Sequence, residues 1–147
     1  MTRTFTSIFI DKSPETVFNY VTTASQWPAW HPASMAVSGS VDHSAAPGEQ
    51  IIEEISFMGR RERFTWTVRE RQPPNRWVFE GHGRSGAESA ITYTLSTSGS
   101  GTLFERELVY TMGSPFIRLL DRLFLRRRMS AVSRKALIRL KQVLEKA

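Results

Sequence analysis

Two charged side chains stand where the sequence otherwise puts apolar ones. Glu53 alternates with Ile51, Ile55 and Phe57, and Arg106 lies between Phe104 and Leu108 on the same strand parity. A charge buried without a partner or water is strongly unfavourable. The two must therefore pair with each other, meet water in a cavity, or sit at a sheet edge and reach solvent. In a cavity they become the convergent polar groups that orient a ligand against apolar walls. Burial would raise the pKa of Glu53 and suit it to general-base work, with Arg106 or Tyr93 stabilising an enolate in a cyclase-like reaction.

Of the three histidines, His31 is the best proton-transfer candidate. It is flanked by Trp30 and Pro32, and imidazole exchanges protons near neutral pH; a surface or capping role is the competing reading. His82 shares its parity with Val78 and Glu80, which turns it away from the aromatic side unless a glycine bulge rotates it. His43 lies in a polar loop. Scattered histidines and the absence of cysteine give no metal-ligand spacing, so neither a metal nor another cofactor is expected. Ser85, in Arg84-Ser85-Gly86, lacks the Gly-x-Ser-x-Gly context of a serine nucleophile. The run Gly81-His82-Gly83-Arg84-Ser85-Gly86 reads as a mobile loop. As a phosphate cradle it is weak, because no parallel strand-to-helix crossover follows it.

The elements that must position these groups are legible in outline. Arg3 to Ile10 reads as a strand. Ser13 then caps a helix with Pro14 at its first position and Val17, Phe18 and Val21 on one side. A second short helical turn spans Ala24 to Trp30, closed by Pro28 and Pro32. From Met35 to Tyr110 short strand-like runs alternate with turn residues, which makes an antiparallel meander. Glycine at the first central position of a two-residue loop suits a type II′ hairpin. Gly59-Arg60 then pairs Ile55 with Phe64, Glu53 with Trp66 and Ile51 with Val68. Gly99-Ser100 likewise pairs Leu95 with Phe104, Tyr93 with Arg106, Ile91 with Leu108 and Ser89 with Tyr110. Trp77 and Phe79 join the same face after a Pro73-Pro74-Asn75 turn. Beyond Pro115, apolar residues recur at three and four from Phe116 through Leu120, Leu123, Leu137, Leu140 and Leu144. This reads as one long amphipathic helix, with a bend or break at Arg126-Arg127-Arg128.

The chain has 147 residues, enough for one domain spanning 1–147 with one core. Its 20 Lys and Arg against 14 Asp and Glu give a net charge of +6. Much of that excess lies in the C-terminal segment, where a solvated helix face is the plain reading. No signal peptide or membrane-spanning stretch is recognisable, and without cysteine a reducing compartment fits; cytoplasm is the expected location.

The order of elements resembles the polyketide cyclase/dehydrase and lipid-transport superfamily, which includes START-related domains. The resemblance rests on Ser13-Pro14-Glu15-Thr16-Val17-Phe18, on Trp27-Pro28-Ala29-Trp30-His31-Pro32, on Trp66 to Pro74 leading into Arg76-Trp77-Val78-Phe79-Glu80, on Gly101-Thr102, and on the terminal helix from Leu137 to Glu145. It implies an α+β helix-grip fold: a seven-stranded curved antiparallel sheet around a long C-terminal helix, with two short helices after the first strand. It also implies a cavity between sheet and helix. The candidate ligand contacts are Trp30, His31, Glu53, Ile55, Phe57, Phe64, Trp66, Trp77, Phe79, Tyr93, Arg106, Tyr110, Phe116 and Leu120. Three functions fit: a binder of a small hydrophobic molecule, lipid-like or aromatic; a cyclase or dehydratase using Glu53 and Arg106; and an interaction module using the basic helix. The first is favoured. Nucleic acid is not an expected partner, peripheral membrane contact stays open, and monomer and homodimer are not distinguished.

Overall fold

The computed structural model describes residues 1–113 and 124–146. Phe116 and Leu120, and the expected helical turns around them, lie outside the described residues. The chain runs β1 (Thr2–Ile10), α1 (Pro14–Val21), a 3-10 turn (Ala24–Gln26), α2 (Trp27–Trp30), then β2 (Ser34–Gly39), β3 (Gln50–Phe57), β4 (Arg60–Gln72), β5 (Arg76–Gly83), β6 (Glu88–Ser98) and β7 (Gly101–Thr111). A wider π-type turn at 124–125 leads into α3 (Arg126–Lys146).

Each local signal has a physical partner. Ser13 Oγ accepts from the Thr16 amide at 3.3 Å, satisfying one of the free donors at the start of α1. Pro28 does not close the second helix as expected. It occupies the first turn of α2, where its missing N–H costs nothing. At the other end of the chain, α3 passes through Arg126-Arg127-Arg128 as regular helix, and the irregular turn falls just before them.

The seven strands form one antiparallel sheet in the order β1-β7-β6-β5-β4-β3-β2. The β6–β7 hairpin has the expected register, with Leu95 opposite Phe104, Tyr93 opposite Arg106, Ile91 opposite Leu108 and Ser89 opposite Tyr110. The β3–β4 hairpin does not. Its turn is Met58-Gly59, with φ of 53° and 78°. Two positive φ values define a type I′ turn, so the glycine takes the second central position. The pairs are Ile55 with Glu62, Glu53 with Phe64 and Ile51 with Trp66. The slip is two residues relative to expectation, and because side chains alternate with period two, every one keeps its face. The expected mobile loop is also revised: Gly81, His82 and Gly83 belong to β5, leaving only Arg84 to Gly86 in the turn. His82 is exposed, as its parity requires.

Register shifts between Ser34 and Ala36 and between Val68 and Glu70 bend the sheet. Its concave face is covered by α3, which lies against β1 and touches α2, while α1 sits over β6 and β7. Ala136, Leu137, Leu140 and Leu144 are buried on α3, and Lys141 Nζ donates to Phe9 O at 2.8 Å. Glu145 accepts from the Asp11 amide at 2.8 Å. The C-terminal half of the helix is thus clamped to the end of β1. Among the described residues, no helix is long and apolar enough to cross a membrane.

Gly81 stands opposite Trp66 across β4 and β5. A Cβ at this position would lie 2.6 Å from Trp66 Cε3 and 2.8 Å from the Thr65 carbonyl oxygen, so the indole uses the space that only glycine leaves. Gly81→Ala is expected to destabilise the fold by about 1–3 kcal/mol through overpacking. Urea unfolding of the variant beside the wild type measures this; unchanged stability would show that the indole relocates without cost.

Candidate functional site

The helix and sheet do not meet everywhere. A cavity of about 550 Å³ opens between the concave face, α2 and the N-terminal half of α3. Part of its wall is a connected set of aromatic rings. Phe64 and Trp66 stack at 5.0 Å between ring centroids, Trp66 meets Phe79 edge-on at 4.9 Å, and Phe79 meets Tyr93 edge-on at 5.4 Å. Such offset and edge-on contacts fix ring orientation as well as burying area.

Of the residues expected at the site, Trp30, His31, Glu53, Ile55, Phe57, Phe64, Trp66, Phe79, Tyr93, Arg106 and Tyr110 line this cavity. Trp77 does not. It is fully buried behind the wall, against Trp27 and Phe79, with its indole N–H donating to Ala45 O at 3.0 Å. Trp77 is core because Trp27 and the loop at Ala45 cover it.

Several wall residues were not anticipated. Ile91 and Leu108 share a face with Tyr93 and Arg106, and the strand pattern already contained them. Glu62 shares the parity of Phe64 and Trp66; its carboxylate accepts from the Ser85 amide at 2.9 Å and from Ser85 Oγ at 2.7 Å, tying β4 to the β5–β6 turn. Met129, Val132 and Ser133 come from α3. Ser133 had a signal in its helical spacing, one turn before Ala136 and Leu137, but its polarity hid it. Met58 and Arg60 reach the cavity because of the turn position, which the hairpin assignment missed.

Two buried charges stand out among the polar groups of the wall. Glu53, 7% exposed, accepts from the Trp66 indole N–H at 3.0 Å. Burial raises its pKa, opposed by Ser34, Trp66 and the Arg106 charge. Ser34 Oγ lies near the carboxyl, yet has no hydrogen bond of its own among the described residues. Arg106, 5% exposed, donates to Ser133 Oγ at 3.0 Å and points a second amino group at His31 Nε2 at 3.4 Å. Glu53 and Arg106 thus face one cavity, but no ion pair forms between them. Burial pushes the Tyr93 phenol up to about 12, keeping it neutral.

His31 forms the C-terminal cap of α2. Its Nδ1 accepts from the Ala33 amide at 3.2 Å. Burial, then the charges of Arg106 and Arg139, push its pKa down to about 3. His43 is the opposite case: exposed, and held between Asp42 at 2.6 Å and Glu49 at 2.9 Å, it has a raised pKa because both carboxylates accept from the imidazolium. Among the described residues, no group of three His, Cys, Asp or Glu side chains is arranged to hold a metal ion.

A curved seven-stranded sheet wrapped on a C-terminal helix is the helix-grip architecture. The chain belongs to the polyketide cyclase/dehydrase and lipid transport family, which matches residues 1–145. An uncharacterized protein of Mycobacterium tuberculosis, recorded from two strains, is 26% identical over 90 residues, 61% of this chain and 63% of that relative. The match thus spans less than two thirds of the relative's length. The crystal structure of TTHA0849 from Thermus thermophilus superposes with a TM-score of 0.82 at 18% identity, covering 99% of both chains. A START superfamily protein from Mycobacterium smegmatis gives a TM-score of 0.73 at 15% identity, covering 98% of this chain and 97% of that one. Ara h 8.0201 gives 0.65 at 9% identity over 99% of each. These likenesses establish the shared fold.

Two pH effects follow from the site. His31 has a folded-state pKa far below its unfolded one, so its contribution to stability is present above about 6.5 and is lost progressively as pH falls toward 3. In an NMR titration the His31 ring is expected to stay neutral at pH 5, while His43 titrates above the ordinary histidine value; a His31 midpoint near 6.5 would refute its burial beside Arg106. Glu53 has the reverse linkage for an acid, because its raised folded-state pKa makes ionisation costly. Glu53→Gln is therefore expected to raise the melting temperature at pH 7 to 8, with the gain vanishing once pH drops below the carboxylate range. A lower melting temperature at neutral pH would mean that the ionised carboxylate is a net stabiliser.

Proposed function

We propose that the chain binds a small, predominantly hydrophobic molecule, lipid-like or aromatic, in the cavity between the sheet and α3, and acts as a binding or carrier module in the cytoplasm. The observation that carries this reading is the cavity itself: about 550 Å³, within the range of small-molecule sites, with aromatic and aliphatic side chains as most of its lining. Family membership supports the same reading. The test is native mass spectrometry of gently purified protein, with extraction and identification of any retained molecule. Ile55→Trp places extra volume at a half-buried wall position. It is expected to lower affinity for a hydrophobic ligand at least tenfold with little change in melting temperature. Unchanged binding would remove the ligand from this cavity.

A second reading, a cyclase or dehydratase, is favoured by one observation: Glu53 is a buried carboxyl at the cavity wall whose pKa burial raises, the direction of shift that general acid or base work calls for. It predicts that Glu53→Gln keeps ligand affinity and loses turnover. A bound molecule recovered chemically unchanged after long incubation argues for the carrier.

A further inference from the structure

Among the described residues, Arg106 is a buried cation without a counter-charge in contact. A guanidinium carries five N–H donors and no acceptor, and stays charged at any ordinary pH. Of these donors, one meets Ser133 Oγ at 3.0 Å and one points at His31 Nε2 at 3.4 Å, whereas Nε has no partner among the described residues. Both partners are neutral groups, as is the Tyr93 phenol that the guanidinium also approaches. The His31 contact is moreover contested: a neutral imidazole has one acceptor nitrogen, yet the Ala33 amide approaches Nδ1 at 3.2 Å while Arg106 approaches Nε2. One of these two donors is therefore left without an acceptor. The indole N–H of Trp30, next in sequence to His31 and on the same cavity wall, is buried and likewise unpartnered among the described residues.

Arg106 Nε and the Trp30 indole N–H are thus unmet donors on the wall that carries His31, while the hydroxyls of Ser34 and Ser89, unpartnered among the described residues, can donate or accept. A guanidinium with no counter-charge in contact is complemented by an anion, and its planar fork matches the two oxygens of a carboxylate. Resting on the ligand-binding reading above, we propose that the cavity selects a hydrophobic monocarboxylate and seats it head-in, with its carboxylate on Arg106 and its apolar body along Phe64, Trp66 and Phe79. Arg139 adds positive potential at this wall, since its charge together with that of Arg106 acts on His31. Glu53 is occupied by the Trp66 indole N–H rather than by Arg106, which leaves the guanidinium available.

Matched probes test this. Octanoate against octanol, and 2-naphthoate against the corresponding naphthylmethanol, are titrated calorimetrically into the full chain. In at least one pair the acid is expected to bind at least tenfold tighter than its alcohol. In Arg106→Gln that preference is expected to disappear through loss of acid affinity alone, the alcohol binding as before. Arg106→Lys retains the charge without the fork and is expected to retain part of the preference; should the Gln variant fail to fold by circular dichroism, the wild-type pairs and the Lys variant decide. Alcohols that bind as tightly as the acids would overturn the head-in assignment and leave the cavity reading standing. Failure of both members of both pairs to bind would overturn the two together.

Discussion

One helix is too narrow to cover a seven-stranded sheet, and the rest of this molecule follows from that mismatch. Strands spaced about 4.8 Å apart make a sheet roughly 29 Å across, whereas a helix with its side chains is about 10 Å wide. The aromatic concave face nonetheless has to leave water. Curvature at the two register shifts brings the sheet edges toward the helix, and α1 with α2 fills one end. The helix itself is committed to β1, where Leu137, Leu140 and Leu144 bury and Lys141 bonds Phe9 O. Its N-terminal half meets the sheet through Ser133, which bonds Arg106, and the volume left beside Met129 and Val132 is the cavity.

The cavity's aromatic wall continues into the core. Trp27, Trp77, Phe79, Tyr93 and Phe104 form a continuous chain of rings with centroid separations between 4.5 and 6.3 Å. Trp27 and Trp77 are further anchored by indole N–H bonds to Val21 O and Ala45 O at 2.9 and 3.0 Å. Two of the five rings are thus tied to the backbone, and the others pack on them, Phe104 through Tyr93, which orders the wall before any ligand arrives. Preorganisation of this kind lowers the ordering cost of binding.

The strand faces were readable because side-chain alternation survives even an error of two residues. The β3–β4 turn was misplaced, yet Glu53, Ile55, Phe64 and Trp66 kept their side. What alternation does not encode is depth. Trp77 and Phe79 share a parity, but Trp27 and the loop at Ala45 cover the first while the second lines the cavity. The second gap concerns the helix, where spacing marks an apolar face without saying which half touches the sheet. Ser133 sits on that face as a polar residue, and its role as a partner of Arg106 depends on a contact between residues 27 apart in sequence. Type I′ geometry at Met58-Gly59 was hidden for a different reason, since methionine seldom takes positive φ.

Glu53 and Arg106 are difficult to explain as stabilisers. An interior charge costs several kcal/mol of desolvation that only close, well-made partners offset, and apolar residues at both positions would extend the surrounding aromatic wall. Instead Glu53 retains one indole N–H bond, and the contacts of Arg106 are with neutral groups. A pair kept only for stability would also be expected to bond to each other, which removes most of the penalty for both. Their separation leaves each addressed to the cavity, the carboxyl toward Trp66 and the guanidinium toward Ser133 and His31. Two opposite charges that act on each other without bonding leave polar groups on the wall to orient a bound molecule, a property of no use to an empty core.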